Sequence, residues 1–126
     1  MSTASRPPKA QRAEMMERTK QFALRIIRLV SKLPKNQVAR VIGGQILRSG
    51  TSIGANFREA SRAATKKHFT SMMVVALREA EETMYWLELL AESGTTKPEL
   101  LAGLRDECNQ LVAILAASVK KARGNT

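Results

Sequence analysis

Five cations, Arg18, Arg25, Arg28, Lys32 and Lys35, fall together with Gln21 at alternating steps of three and four residues. On a helix of 3.6 residues per turn that spacing lines them up as one continuous ridge. A row of guanidinium and ammonium groups neutralises phosphates, so the chemistry it offers is polyanion binding. The ridge lies roughly opposite the apolar residues Phe22, Ile26 and Val30 and is therefore expected to face outward. No acid follows Glu17 along it, whereas an ordinary solvated face mixes signs. The competing reading is that ordinary face. No aromatic interleaves with the ridge, so base stacking is not expected. Binding through it would be phosphate-led, salt-sensitive and weakly sequence-specific. The whole chain supports this sign, with 21 basic and 11 acidic residues and a net charge of +10.

A second set of polar residues points to structure more than to chemistry. Gln45, Arg48, Ser52, Asn56 and Glu59 recur at helical spacing, and Arg78, Glu79, Glu82, Tyr85 and Trp86 follow on a later segment. Polar residues in a glycine-rich helix beside apolar neighbours predict a partly buried network, with an ion pair from Arg48 to Glu79 or Glu82. Such a pair sets register more than it adds stability. A catalytic carboxylate pair is the alternative. It lacks a nucleophile with its base, and the glutamates lack the Glu-x-x-His partners that di-iron bundles use. The single His68 and single Cys108 argue against a metal centre, a disulfide or a triad. Cys108 sits in an apolar stripe and reads as a small buried hydrophobe. No catalytic, cofactor or metal residue is assigned, and an enzyme is not expected.

These side chains must be carried by helices. Residues 1–10, with Pro7 and Pro8 and no acid, read as a disordered basic arm, and 123–126 as a frayed tail. The domain between them, 11–122, divides into four helical segments. The first, 11–33, has apolar steps Met15, Thr19, Phe22, Ile26, Val30 and Leu33, and Pro34 stops it. The second, 37–62, follows Asn36 as cap and carries Val38, Val41, Ile42, Ile46, Ile53 and Phe57, with Gly43, Gly44, Gly50 and Gly54 interspersed. Each interior glycine costs about 1 kcal/mol relative to alanine, which close approach of a neighbouring backbone can offset. The third, 66–92, begins after Thr65 and ends before Gly94. The fourth starts at a capping box, Thr96 with Glu99, and runs Leu101, Leu104, Cys108, Leu111, Leu115, Val119. Short connections imply an all-α, up-down-up-down antiparallel four-helix bundle. Its stripes are broader than one seam needs, which leaves apolar surface for a subunit contact. Lys120, Lys121 and Arg123 form a smaller basic cluster that also complements a helix C-terminus. No apolar run approaches the ~20 residues that span a bilayer, the first ten residues do not read as a secretory signal, and a lone cysteine suits a reducing cytoplasm.

Two segments carry a resemblance. Residues 45–60, QILRSGTSIGANFREA, and residues 76–90, ALREAEETMYWLELL, resemble in order and spacing the paired signatures of the four-helix bundle proteins encoded by intervening sequences in bacterial 23S ribosomal RNA genes. The resemblance spans roughly Phe22 to Val119. The chain departs at Gly54, where many members have proline, and at Ala60, where many have glycine, which implies a softer bend there. The resemblance implies a homopentamer with a central channel. It also implies similarity to the accessory variability determinant protein of diversity-generating retroelements, which binds nucleic acid and partners a reverse transcriptase. The expected function is thus a non-enzymatic, homopentameric nucleic-acid-binding bundle. The alternative is an oligomeric scaffold that docks an acidic partner protein such as a reverse transcriptase.

Overall fold

Asn36, Thr65 and Gly94 punctuate the chain as their residue types require. In the computed structural model, which describes residues 6–124, they separate α1 (Lys9–Ser31), α2 (Gln37–Ser61), α3 (Lys66–Glu92) and α4 (Pro98–Ala122). The Asn36 side chain accepts a hydrogen bond from the Ala39 amide at 2.9 Å, and the Thr65 hydroxyl accepts one from the His68 amide at 3.0 Å. Each satisfies an amide that the first helical turn leaves without an internal partner. Gly94 follows α3 with φ +73°, the left-handed conformation that only glycine adopts without penalty.

Two helix starts differ from the sequence expectation. The Thr96 capping box does not form. Lys97 is the N-cap of α4 and makes no side-chain cap bond, because Pro98, with its fixed φ and no N–H, occupies the first helical position. At the other end of the chain α1 starts at Lys9, so the last two residues of the expected arm are helical. Arg6 is anchored as well. It donates to the Thr65 carbonyl at 3.0 Å and lies 5.0 Å from the Phe69 ring centroid. Residues 1–5 and 125–126 of the expected arm and tail lie outside the described residues.

The four helices bury one aliphatic core with three phenylalanines, Phe22, Phe57 and Phe69, fully inside it. Every apolar position expected on α4 is buried, from Leu101 to Val119. On α2 the pattern shifts. Val38 and Val41 are exposed, and Gly43, Ser49, Gly50 and Gly54 take the inward face with Ile46, Ile53 and Phe57. The glycines explain the exchange, since they let α1 come close. A Cβ on Gly50 would stand 2.9 Å from Ile26 Cγ1, and one on Gly54 3.0 Å from Thr19 Oγ1. Thr19, itself buried, turns its hydroxyl to the Met15 carbonyl at 2.9 Å. Contacts between neighbouring helices pair rising numbers with falling ones. Gly43 meets Leu33, Gly50 meets Ile26, and Gly54 meets Thr19. Likewise Arg48 meets Glu82 while Glu59 meets His68. Of the four packed pairs, α1–α2, α2–α3, α3–α4 and α1–α4, the last touches least.

Candidate nucleic-acid interface

The five ridge cations reach three different environments. Arg18 faces α4: its Nε donates to Glu107 Oε2 at 2.7 Å, and its Nη2 donates to Glu107 Oε1 at 2.9 Å and Gln110 Oε1 at 2.6 Å. The Glu107 carboxylate accordingly raises the guanidinium pKa. Arg18 is therefore a seam residue between α1 and α4, which corrects its expected outward role. Arg25 is half-buried and lies across Gly103 of α4, where an added Cβ would stand 3.1 Å from its Nη2. Arg25, Arg28 and Lys32 together line an open groove of about 390 Å³ whose floor includes Leu29, Leu33 and Leu104. Among the described residues none of these three cations, nor Lys35, makes an ion pair. Lys35 stands apart, because α1 ends at Ser31 and helical spacing stops there. It lines a separate groove of about 430 Å³ with Arg40, Gly43 and Gly44. The single ridge read from spacing is thus divided into a seam ion pair, a cationic groove and a lysine on the α1–α2 turn.

The polar set divides in a similar way. Arg48 Nη1 donates to Glu79 Oε1 at 3.2 Å, its Nη2 donates to Glu82 Oε2, and its Nε donates to Gln45 Oε1 at 3.2 Å. Trp86 Nε1 donates to the same Glu82 oxygen at 3.0 Å. The indole bond first and Arg48 second hold the Glu82 carboxyl below its ordinary pKa. Deeper in the α2–α3 interface the buried Thr83 and Ser49 hydroxyls lie 2.8 Å apart. Ser52 and Asn56 hydrogen-bond within α2 and, among the described residues, not to α3. Ser52 donates to the Arg48 carbonyl at 2.6 Å and Asn56 to the Ser52 carbonyl at 2.8 Å, the back-bonding that short polar side chains make inside helices. Glu59 Oε2 faces His68 Nε2 at 3.3 Å, away from the Arg48 cluster. The arrangement fastens α2 to α3.

Sequence reasoning missed Glu107 and Gln110 as partners of Arg18, and Trp86 as a donor to Glu82. Glu107 and Gln110 are three residues apart at the edge of the α4 stripe, and Glu82 and Trp86 four apart on α3. That spacing shows which residues share a face but not which helix they meet. Among the described residues no cluster of three or more His, Cys, Asp or Glu side chains could hold a metal ion, and no helix is long and apolar enough to cross a membrane.

A family model described as 23S rRNA-intervening sequence protein matches residues 11–117. Among solved structures the chain is similar to a crystal structure of a protein of unknown function from the S23 ribosomal protein family of Bacteroides thetaiotaomicron. The two are 37% identical over 86% of this chain and 97% of that one, with a TM-score of 0.80. No curated protein matches. Neither the family description nor that structure indicates an enzyme. The match runs from the first turn of α1 into the last turns of α4 and takes in both the cationic groove and the Arg48 cluster, so the chain belongs to the 23S rRNA-intervening sequence protein family.

Proposed function

We propose that this protein is a non-enzymatic, cytoplasmic nucleic-acid-binding module, an up-down-up-down antiparallel bundle that assembles as a ring-like homopentamer and grips RNA or DNA by its phosphates. The observation that carries this reading is the groove of Arg25, Arg28 and Lys32, three cations side by side without an acidic partner among the described residues. No acid occurs in the sequence between Glu17 and Glu59, so none neighbours these cations along the chain. Lys35 extends the same basic end from the α1–α2 turn. The falling order of contacts between neighbouring helices supports the alternating direction. Exposed Leu24 and Ile27 on α1 and Val41 and Leu47 on α2 support burial against another copy. Copies in a ring multiply weak phosphate contacts into useful avidity.

The test is a filter-binding titration of RNA and DNA at two salt concentrations, beside sedimentation velocity for stoichiometry. Each phosphate contact contributes a slope of about −0.7 to −0.9 in log K against log salt, so replacing Arg25, Arg28 and Lys32 with glutamine should flatten the slope by about two to three. Absence of salt-sensitive binding near physiological ionic strength would end the proposal. A second reading, an oligomeric scaffold for an acidic partner such as a reverse transcriptase, is favoured by the leucine floor of that groove and by Leu100, 66% exposed at its edge. Charge reversal at Arg25 and Arg28 would then abolish partner capture in preparations freed of nucleic acid.

A further inference from the structure

We propose that the opposite end of the bundle holds a second phosphate-binding surface, a groove between the start of α3 and the end of α4. It shares with the reading above only the polymer it binds. The groove, wide and open at about 760 Å³, is lined by Lys66, Lys67, Thr70, Ser71, Arg78 and Arg123 together with Val74 and Val75. All four cations are exposed, and none makes an ion pair among the described residues.

Tertiary packing concentrates charge at this end from remote parts of the chain. Arg58 and Arg62 close α2, and Lys120 and Lys121 close α4. The Arg6 bond to the Thr65 carbonyl brings the start of α1, with Lys9 and Arg12, to the same corner. Glu59 Oε2, the last acid before Lys66, lies 3.3 Å from His68 Nε2, and Glu79, which follows Arg78, pairs with Arg48. Along α3 the charges are sorted: cations at Lys66, Lys67 and Arg78, then acids at Glu79, Glu81, Glu82, Glu88 and Glu92. A helix dipole favours the reverse order, acids at the N-terminus and bases at the C-terminus. Stability of α3 therefore does not explain its first turns, and an external anion does.

The geometry suits a strand. Lys67, Ser71, Val74 and Arg78 advance by four, three and four residues and so share one line of α3. The eleven steps from Lys67 to Arg78 cover roughly 16 Å, enough to meet more than one phosphate of a strand. The exposed Ser71 hydroxyl adds a phosphate donor. The groove and the Arg25 groove sit toward opposite ends of helices about 37 Å long, so their contributions are separable.

The experiment is fluorescence anisotropy of a labelled single-stranded 20-mer and of a duplex, with the full chain, over a range of salt. It compares wild type with Lys66→Gln/Lys67→Gln/Arg78→Gln/Arg123→Gln and with Arg25→Gln/Arg28→Gln/Lys32→Gln. Helicity and thermal unfolding serve as controls for folding. The four-site variant should bind roughly tenfold or more weakly at 0.1 M salt, with a slope flatter by about three, while the groove variant loses its own share independently. Wild-type binding that the four-site variant matches would overturn this proposal and leave the function above standing. No wild-type binding would overturn both. Binding to phosphatidylserine vesicles in place of oligonucleotide, lost in the four-site variant, would replace nucleic acid by a lipid surface as occupant and also overturn it.

Discussion

Arg18 and Glu107 form a two-point ion pair, with N–O distances of 2.7 and 2.9 Å, across the least-packed seam of the bundle. The pair occupies one ridge cation and ties α4 to α1. Arg18→Gln should thus leave the salt slope of nucleic-acid binding nearly unchanged, whereas Glu107→Gln should free the guanidinium and steepen the slope by up to about one. Both should lower stability by about 0.5–1 kcal/mol, since Arg18 is 32% exposed and surface pairs contribute little. Denaturant unfolding and salt titrations of the two variants check these opposite outcomes.

The glycines of α2 should divide by what lies opposite them. Gly44→Ala meets nothing within 4 Å and should stabilise by up to about 1 kcal/mol through helix propensity. Gly50→Ala drives its methyl into Ile26, with three side-chain atoms at 2.9–3.3 Å, and should destabilise by about 1–3 kcal/mol despite the same propensity gain. Thermal unfolding of the two variants should move in opposite directions.

Burial pushes the Cys108 thiol up to about 12 from an ordinary 9.0, and its Sγ donates to the Ala80 carbonyl at 3.3 Å. The native state therefore holds its proton where the unfolded chain has lost it. Above pH 9 stability should fall by up to about 1.4 kcal/mol per pH unit, with no effect from this group below pH 9. Cys108→Ala should flatten that alkaline limb. A thiol reagent at pH 8 should label Cys108 only at the rate of unfolding.

The Glu82 carboxyl is held low by the Trp86 indole and then by Arg48. A depressed native pKa means its stabilisation is present above the ordinary value of 4.5 and lost as pH falls through the lower native one. Trp86 emission should change over that acid range as the indole loses its ionised acceptor. Arg48→Gln should move the midpoint up toward the ordinary carboxylate range, while Arg25→Gln should not move it.

What the sequence determines by itself is local. Apolar steps of three and four, Pro34, Asn36, Thr65 and Gly94 specify four helices, and the α4 stripe places Cys108 inside, because helix formation, capping and amphipathicity act over a few neighbouring residues. Its local signals can also compete, as where Thr96 and Pro98 both mark a helix start and proline prevails. Only the tertiary structure decides which faces meet. It set Glu107 against Arg18, turned Val38 and Val41 outward in favour of glycines that admit α1, and gathered Lys66, Lys67 and Arg123 at one end. The physical reason is that spacing assigns a residue to a face of its own helix, whereas its partner depends on the packing angle and contact of helices distant in sequence.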